Sequence, residues 1–161
     1  MLANGQVFPT LSVPAVGGGA IQLPHDLAGA FGVVVIHRGH WCPFCNDQLA
    51  SLQASSAGLA ELGVKVAAFS VDDEATTAAL AAKHGLAFKL GHSADAKAVA
   101  AATGAFVGQH AGRDILQPAG FLLAPDGTIM MESYASGPIG RLTGSDVARV
   151  VAHVKSLAKA A

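Results

Sequence analysis

The sequence predicts an α/β fold in which a mixed central β-sheet lies between helices, with a small β-hairpin ahead of it. Three stretches carry this reading. Gly32-Val-Val-Val-Ile36 is a short β-branched run without alternation, as suits a central strand covered on both faces. Val64-Lys-Val-Ala-Ala-Phe-Ser-Val71 reads as a second, parallel strand, and the helical stretch between the two makes a βαβ unit. Ala119-Gly-Phe-Leu-Leu-Ala124 and Thr128-Ile-Met-Met-Glu-Ser-Tyr134 flank Pro125-Asp-Gly127, and Asp-Gly between two apolar runs signals an antiparallel hairpin.

The remaining elements follow in chain order. Leu11 to Ala15 and Ala20 to Leu23, around Gly17-Gly-Gly19, form the N-terminal hairpin. Leu49, Leu52, Leu59 and Leu62 put one apolar face on a helix from about 43 to 62. Pro43 fits its first position, where the missing N–H costs nothing, so Cys42 is the expected N-cap and Cys45 lies one turn in. Asp72-Asp-Glu74 caps a helix running through Leu80 to about His84. Ala87 to Leu90 suggests a short strand, and Ala94 to Ala102 a short helix ended by Thr103-Gly104. Thr143-Gly-Ser-Asp146 resembles a capping box, after which Val147, Val150, Val151, Val154 and Leu157 mark the apolar face of a last helix. No repeat, low-complexity tract or long linker divides the 161 residues, so one domain spanning 1–161 is expected.

Charge narrows the partners. Ten Lys and Arg against eleven Asp and Glu give a net charge of -1, and no basic run tracks a nucleic-acid backbone or an anionic membrane. The first residues lack the basic start and apolar run of a secretory signal, and no segment has the ~20 apolar residues needed to span a bilayer. A soluble, cytoplasmic protein is expected, without nucleic-acid or membrane partners. A homodimer is compatible with this composition, but no single stretch declares an interface.

Both cysteines lie in Arg38-Gly-His-Trp-Cys-Pro-Phe-Cys-Asn-Asp-Gln-Leu49. A structural disulfide would not persist in a reducing cytosol, and closing so short a loop removes little unfolded-state entropy. A closed zinc site needs four ligands, and only scattered histidines such as His37 and His40 accompany the one Cys pair. Two small buried core residues remain a bland alternative. Placement at a helix N-terminus argues instead for redox chemistry, because the N–H groups and dipole there favour thiolate over thiol. A second thiol within one turn resolves any sulfenic acid or mixed disulfide formed on the first.

With those residues in place, the chain resembles the thioredoxin-fold superfamily, in particular the peroxiredoxin-like branch with the alkyl hydroperoxide reductase/thiol-specific antioxidant domain. The resemblance rests on VVVIHRGHWCPFCNDQLASLQ, VAAFSVDDEA and QPAGFLLAPDGTI and covers most of the chain. It implies a thioredoxin-like fold and a cis bond before Pro118, with that proline lying against the cysteines. Two templates compete. Laid onto the peroxiredoxin pattern Pro-x-x-x-Thr-x-x-Cys, Arg38 takes the Pro position, Cys42 the Thr position and Cys45 the peroxide-attacking position. On the thioredoxin-like pattern Trp-Cys-x-x-Cys, Cys42 attacks a disulfide and Cys45 resolves.

The resulting expectation is a thiol-dependent peroxidase. Cys45 attacks a small peroxide, Cys42 condenses with the sulfenic acid, and an external dithiol such as a thioredoxin-type protein reduces the disulfide, with no metal or organic cofactor. The alternatives are a thiol-disulfide oxidoreductase with Cys42 as nucleophile and, outside enzymes, a redox sensor. Arg38 is the nearest cation for the leaving oxygen, weighed against a surface salt bridge. Arg113 and, more weakly, Arg141 are further candidates, Arg141 reading mainly as a loop charge. His40 is the preferred proton donor, whereas His37, at a strand end, reads as a hydrogen-bonded structural residue. Trp41, Pro43 and Pro118 are expected to shape the substrate surface, and Asp72 reads as a helix cap.

Overall fold

The computed structural model describes residues 1–160. Strands β1 (Leu11–Pro14) and β2 (Ala20–Leu23) form the N-terminal hairpin. The helices are α1 (Pro43–Ala54), α2 (Ser56–Glu61), α3 (Glu74–His84), α4 (Ala96–Thr103) and α5 (Gly144–Ala160). The central sheet takes β3 (Phe31–Ile36), β4 (Val64–Phe69), β5 (Lys89–Gly91), β8 (Ala119–Leu123) and β9 (Ile129–Tyr134), in the order β5-β4-β3-β8-β9. β4 lies parallel to β3 and β5, while β8 is antiparallel to β3 and β9. A separate antiparallel pair, β6 (Val107–His110) and β7 (Arg113–Leu116), was not foreseen from the sequence.

The unbroken apolar run of β3 has a direct cause. Val34 and Ile36 point to a core shared with Val13, Ile21, Leu23, Val99, Leu116 and Phe121, while Val33 and Val35 point to one shared with the helices. On that second face Leu49, Leu52, Leu59, Leu80, Val147 and Val151 cover the sheet. All four β3 side chains are fully buried, each worth roughly 1.5–3 kcal/mol of apolar burial.

Three details depart from expectation. The helix foreseen over 43–62 divides at Ser55, whose hydroxyl bonds back to the Ser51 carbonyl, the competition by which serine bends helices. Leu157 is exposed, whereas Val147 and Val151 earlier in α5 are buried, so the apolar face is covered only over the first part of the helix. The Gln117–Pro118 bond is trans, and the cis bond found among the described residues is Leu23–Pro24. Trans geometry is the one an X-Pro bond favours, and here the flanking groups are satisfied in it. The Gln117 N–H donates to the Phe106 carbonyl at 2.7 Å, and the Pro118 carbonyl accepts from Ala135 N–H at 3.0 Å.

The capping box forms as its spacing requires: Asp146 N–H donates to Thr143 Oγ1 at 3.2 Å, and Thr143 N–H donates to Asp146 Oδ2 at 3.2 Å. This start of α5 fixes the preceding loop, 135–143, against the thiol segment. No helix among the described residues is long and apolar enough to cross a membrane.

Candidate active site

β3 ends at Ile36, and the chain turns through residues 37–42 into α1. Gly39 sits at φ +142, where a Cβ would stand 2.7 Å from the Trp41 indole nitrogen and 3.1 Å from Asp72 Oδ1, so the turn tolerates no side chain there. Cys42 is the N-cap in extended conformation, and Pro43 occupies the first helical position. Both cysteines are free and fully buried.

Donors converge on the sulfurs from two directions. The Arg38 backbone N–H donates to Cys45 Sγ at 3.3 Å, and Arg141 Nη2 donates to the same sulfur at 3.2 Å. Arg141 Nη2 also lies 3.8 Å from Cys42 Sγ, and Arg38 Nη1 lies 3.9 Å from it. Gln48, one turn beyond Cys45, clamps this arrangement. Its Oε1 accepts from Arg141 Nη1 at 2.6 Å, and its Nε2 donates to the Leu142 carbonyl at 2.9 Å. Arg141, which the sequence presents as a loop charge, is thus the cation closest to Cys45.

Those neighbours set the proton balance. Burial opposes ionisation of Cys42, but the hydrogen bonds from Cys45, the Arg141 cation and the Arg38 side chain together bring it below the ordinary thiol range. Burial pushes the Cys45 thiol up, and its bond to Cys42 adds to this. Of the two buried thiols, Cys42 therefore gives up its proton the more readily.

The other expected residues fall around this centre. His40 is tied to Asp72: its backbone N–H donates to Asp72 Oδ2 at 2.7 Å, and its Nδ1 lies 3.3 Å from the same oxygen. The cap of α3 is Asp73, whose side chain accepts from Thr76 N–H at 2.8 Å, which frees Asp72 to hold the thiol loop. Trp41 stacks on His110 of β6 with centroids 3.5 Å apart, and the Arg38 guanidinium sits 4.7 Å from the indole centroid. His37 is buried as foreseen, but neither ring nitrogen has a partner, and burial lowers its pKa to about 4. Pro118 is buried at the head of β8.

Two cavities flank the loop. One of about 340 Å³ is lined by Phe44, Pro138 and Ile139 and shares Gln48 and Arg141 with the sulfur site. The other, about 360 Å³, is lined by His40, Trp41, Asp72, His110 and Arg113, so Arg113 and Arg141 line different cavities. Among the described residues no group of three or more His, Cys, Asp or Glu is placed to hold a metal ion.

The AhpC/TSA family model matches residues 4–131. The chain belongs to the AhpC/TSA family. Solved structures of similar fold include a mutant of peroxiredoxin 6 from Arenicola marina, with TM-score 0.82 and 18% identity over 98% of this chain and 76% of that one. AhpC of Enterococcus faecalis follows at TM-score 0.80 and 19% identity, covering 99% of this chain and 96% of that one. The bacterioferritin comigratory protein of Xanthomonas campestris, whose alkyl peroxide reduction activity its structures address, aligns at TM-score 0.68 and 22% identity over 92% of each chain. No curated protein matches. Membership of the AhpC/TSA family makes this chain a cysteine-based, peroxide-reducing oxidoreductase with a thioredoxin-like fold.

Proposed function

We propose that Cys45 is the thiol that attacks peroxide and Cys42 the thiol that resolves it. The convergence of Arg38 N–H and Arg141 Nη2 on Cys45 Sγ carries this reading, because donors fixed at that sulfur also face the charge that develops as the O–O bond breaks. The Cys45 thiolate attacks the terminal oxygen of ROOH; a Cys45 sulfenic acid forms, and RO⁻ leaves and takes a proton from solvent. The Cys42 thiol then displaces water from the sulfenic sulfur and closes the Cys42–Cys45 disulfide. An external dithiol, such as a thioredoxin-type protein, takes up the oxidation and restores both thiols. That dependence favours a reducing compartment such as the cytoplasm.

A second reading rests on the lowered Cys42 pKa, which suits attack by Cys42 on a disulfide. Stopped-flow oxidation of the reduced protein by hydrogen peroxide and an organic hydroperoxide separates the two. The peroxidase assignment expects Cys42→Ser to react and accumulate sulfenic acid, and Cys45→Ser to be slower by a factor of about a thousand or more. If wild type and both variants react with peroxide no faster than a small free thiol, the peroxidase assignment fails and attack by Cys42 on a disulfide replaces it; if Cys45→Ser alone reacts as fast as wild type, the roles of the two cysteines are exchanged.

A further inference from the structure

Asn46 follows Cys45, and its amide is fully engaged. Its Nδ2 lies 2.8 Å from the His40 carbonyl and 2.8 Å from the Cys42 carbonyl, so one NH₂ group forks across both ends of the loop that carries Cys42. Its Oδ1 lies 2.7 Å from His84 Nε2, in the last turn of α3. Two carbonyls can only accept, which fixes Nδ2 towards them and Oδ1 towards the histidine, and so assigns the His84 proton to Nε2. The chain His84, Asn46, Cys42 carbonyl thus ties the resolving thiol's backbone to a neighbouring helix.

We infer that Asn46, oriented by His84, is a positioning residue for the resolving step. The inference rests on the peroxide reading above and deepens it. When Cys45 becomes a sulfenic acid, Cys42–SH must reach its sulfur, form the S–S bond and release water, and the amide fork holds the Cys42 backbone on the first turn of α1 while this happens. Neither Asn46 nor His84 touches a sulfur, so the attack on peroxide does not depend on them.

Asn46→Asp keeps the shape but puts a carboxylate, which donates nothing, against two carbonyls. An acidic group in the first turns of a helix is otherwise favourable, which supports folding of the variant. His84→Ala removes only the orienting bond, and His84→Gln supplies another N–H for Asn46 Oδ1. The experiment mixes the reduced full-length protein with hydrogen peroxide, quenches with acid, alkylates, and separates sulfenic and disulfide forms by mass. Sulfenic acid should form within about twofold of the wild-type rate in both His84 variants and more slowly in Asn46→Asp, whose carboxylate opposes the neighbouring thiolate. Disulfide closure, read as its own phase, should be slowed about a hundredfold in Asn46→Asp and about tenfold in His84→Ala, and restored in His84→Gln.

Closure at the wild-type rate in Asn46→Asp overturns the inference. A parallel fall of both phases that His84→Gln fails to rescue also overturns it, because that marks general loosening. Should Asn46→Asp not fold, the His84→Ala and His84→Gln pair decides by the same criteria. A small symmetrical disulfide in place of peroxide drives the same closure through a mixed disulfide, with release of the small thiol. The closure ratio is therefore read independently, and absence of the peroxide phase in wild type counts against the peroxidase assignment alone.

Discussion

The thiol segment, residues 36–48, and the return loop, residues 135–143, meet at the same two sulfurs but act by different means. The thiol segment is anchored at both ends by main chain, with Asp72 and Asn46 side chains across the turn between: Ile36 pairs with Phe69 and Ala119, His37 N–H donates to the Phe69 carbonyl at 3.1 Å, and α1 begins at Pro43. The return loop delivers one guanidinium on a flexible side chain. Its position depends on Gln48, on the Pro138 carbonyl that accepts from Arg141 Nε at 2.9 Å, and on the capped start of α5. Backbone fixes where the nucleophile is, while a side-chain clamp fixes the charge that activates it. The two can therefore be perturbed separately.

Removing the delivered charge should give the largest effect. Arg141→Met is expected to slow peroxide attack about 10²–10³-fold, the usual loss when one donor to developing charge is deleted. It should also move the pH midpoint of attack further upward, because burial already raises the Cys45 thiol and the cation that offsets this is gone. Arg38→Met should cost less, since the backbone N–H on Cys45 remains and its guanidinium is 3.9 Å from Cys42 Sγ. Equal losses in the two variants, measured by stopped flow across pH, would erase the distinction drawn between the segments.

The thiol segment's rigidity has a cost at His37. Its folded pKa of about 4 lies below the unfolded ~6.5, so the unfolded chain takes up the proton first. Stability is then full above about pH 6.5 and falls as pH drops, the loss from this group reaching about 3 kcal/mol near pH 4. His37→Leu should flatten that part of the profile in urea unfolding, and retention of the full slope would mean that other groups produce it. Gln48→Leu should act most mildly, slowing attack about tenfold, with a stability loss of about 1–3 kcal/mol from the unpaired Leu142 carbonyl. An unchanged attack rate would show that Arg141 keeps its place without the clamp.

The same division explains what the sequence made legible. Cys42, Pro43 and Cys45 lie in one continuous stretch between a buried strand and an apolar helix face, so their placement needed only local rules. The capping box at Thr143 to Asp146 is local too. Arg141 meets Cys45 across 96 residues, and nothing in Gly137-Pro-Ile-Gly-Arg141 marks that meeting in advance. Asp72 and Asp73 both satisfy a cap pattern, and only the three-dimensional turn assigns one to Thr76 and the other to His40. The β6–β7 hairpin lay hidden because β6 is largely exposed and lacks alternation, and because Ala111 precedes Gly112 where Asn or Asp would have signalled the turn.

Trp41 is the chain's single tryptophan, and it sits beside Cys42, stacked on His110 and under the Arg38 guanidinium. The fluorescence of the whole protein therefore originates largely at one ring, next to the bond that forms and breaks. Emission intensity is a built-in gauge of the thiol loop, able to follow oxidation, closure and reduction in unlabelled protein through successive turnovers.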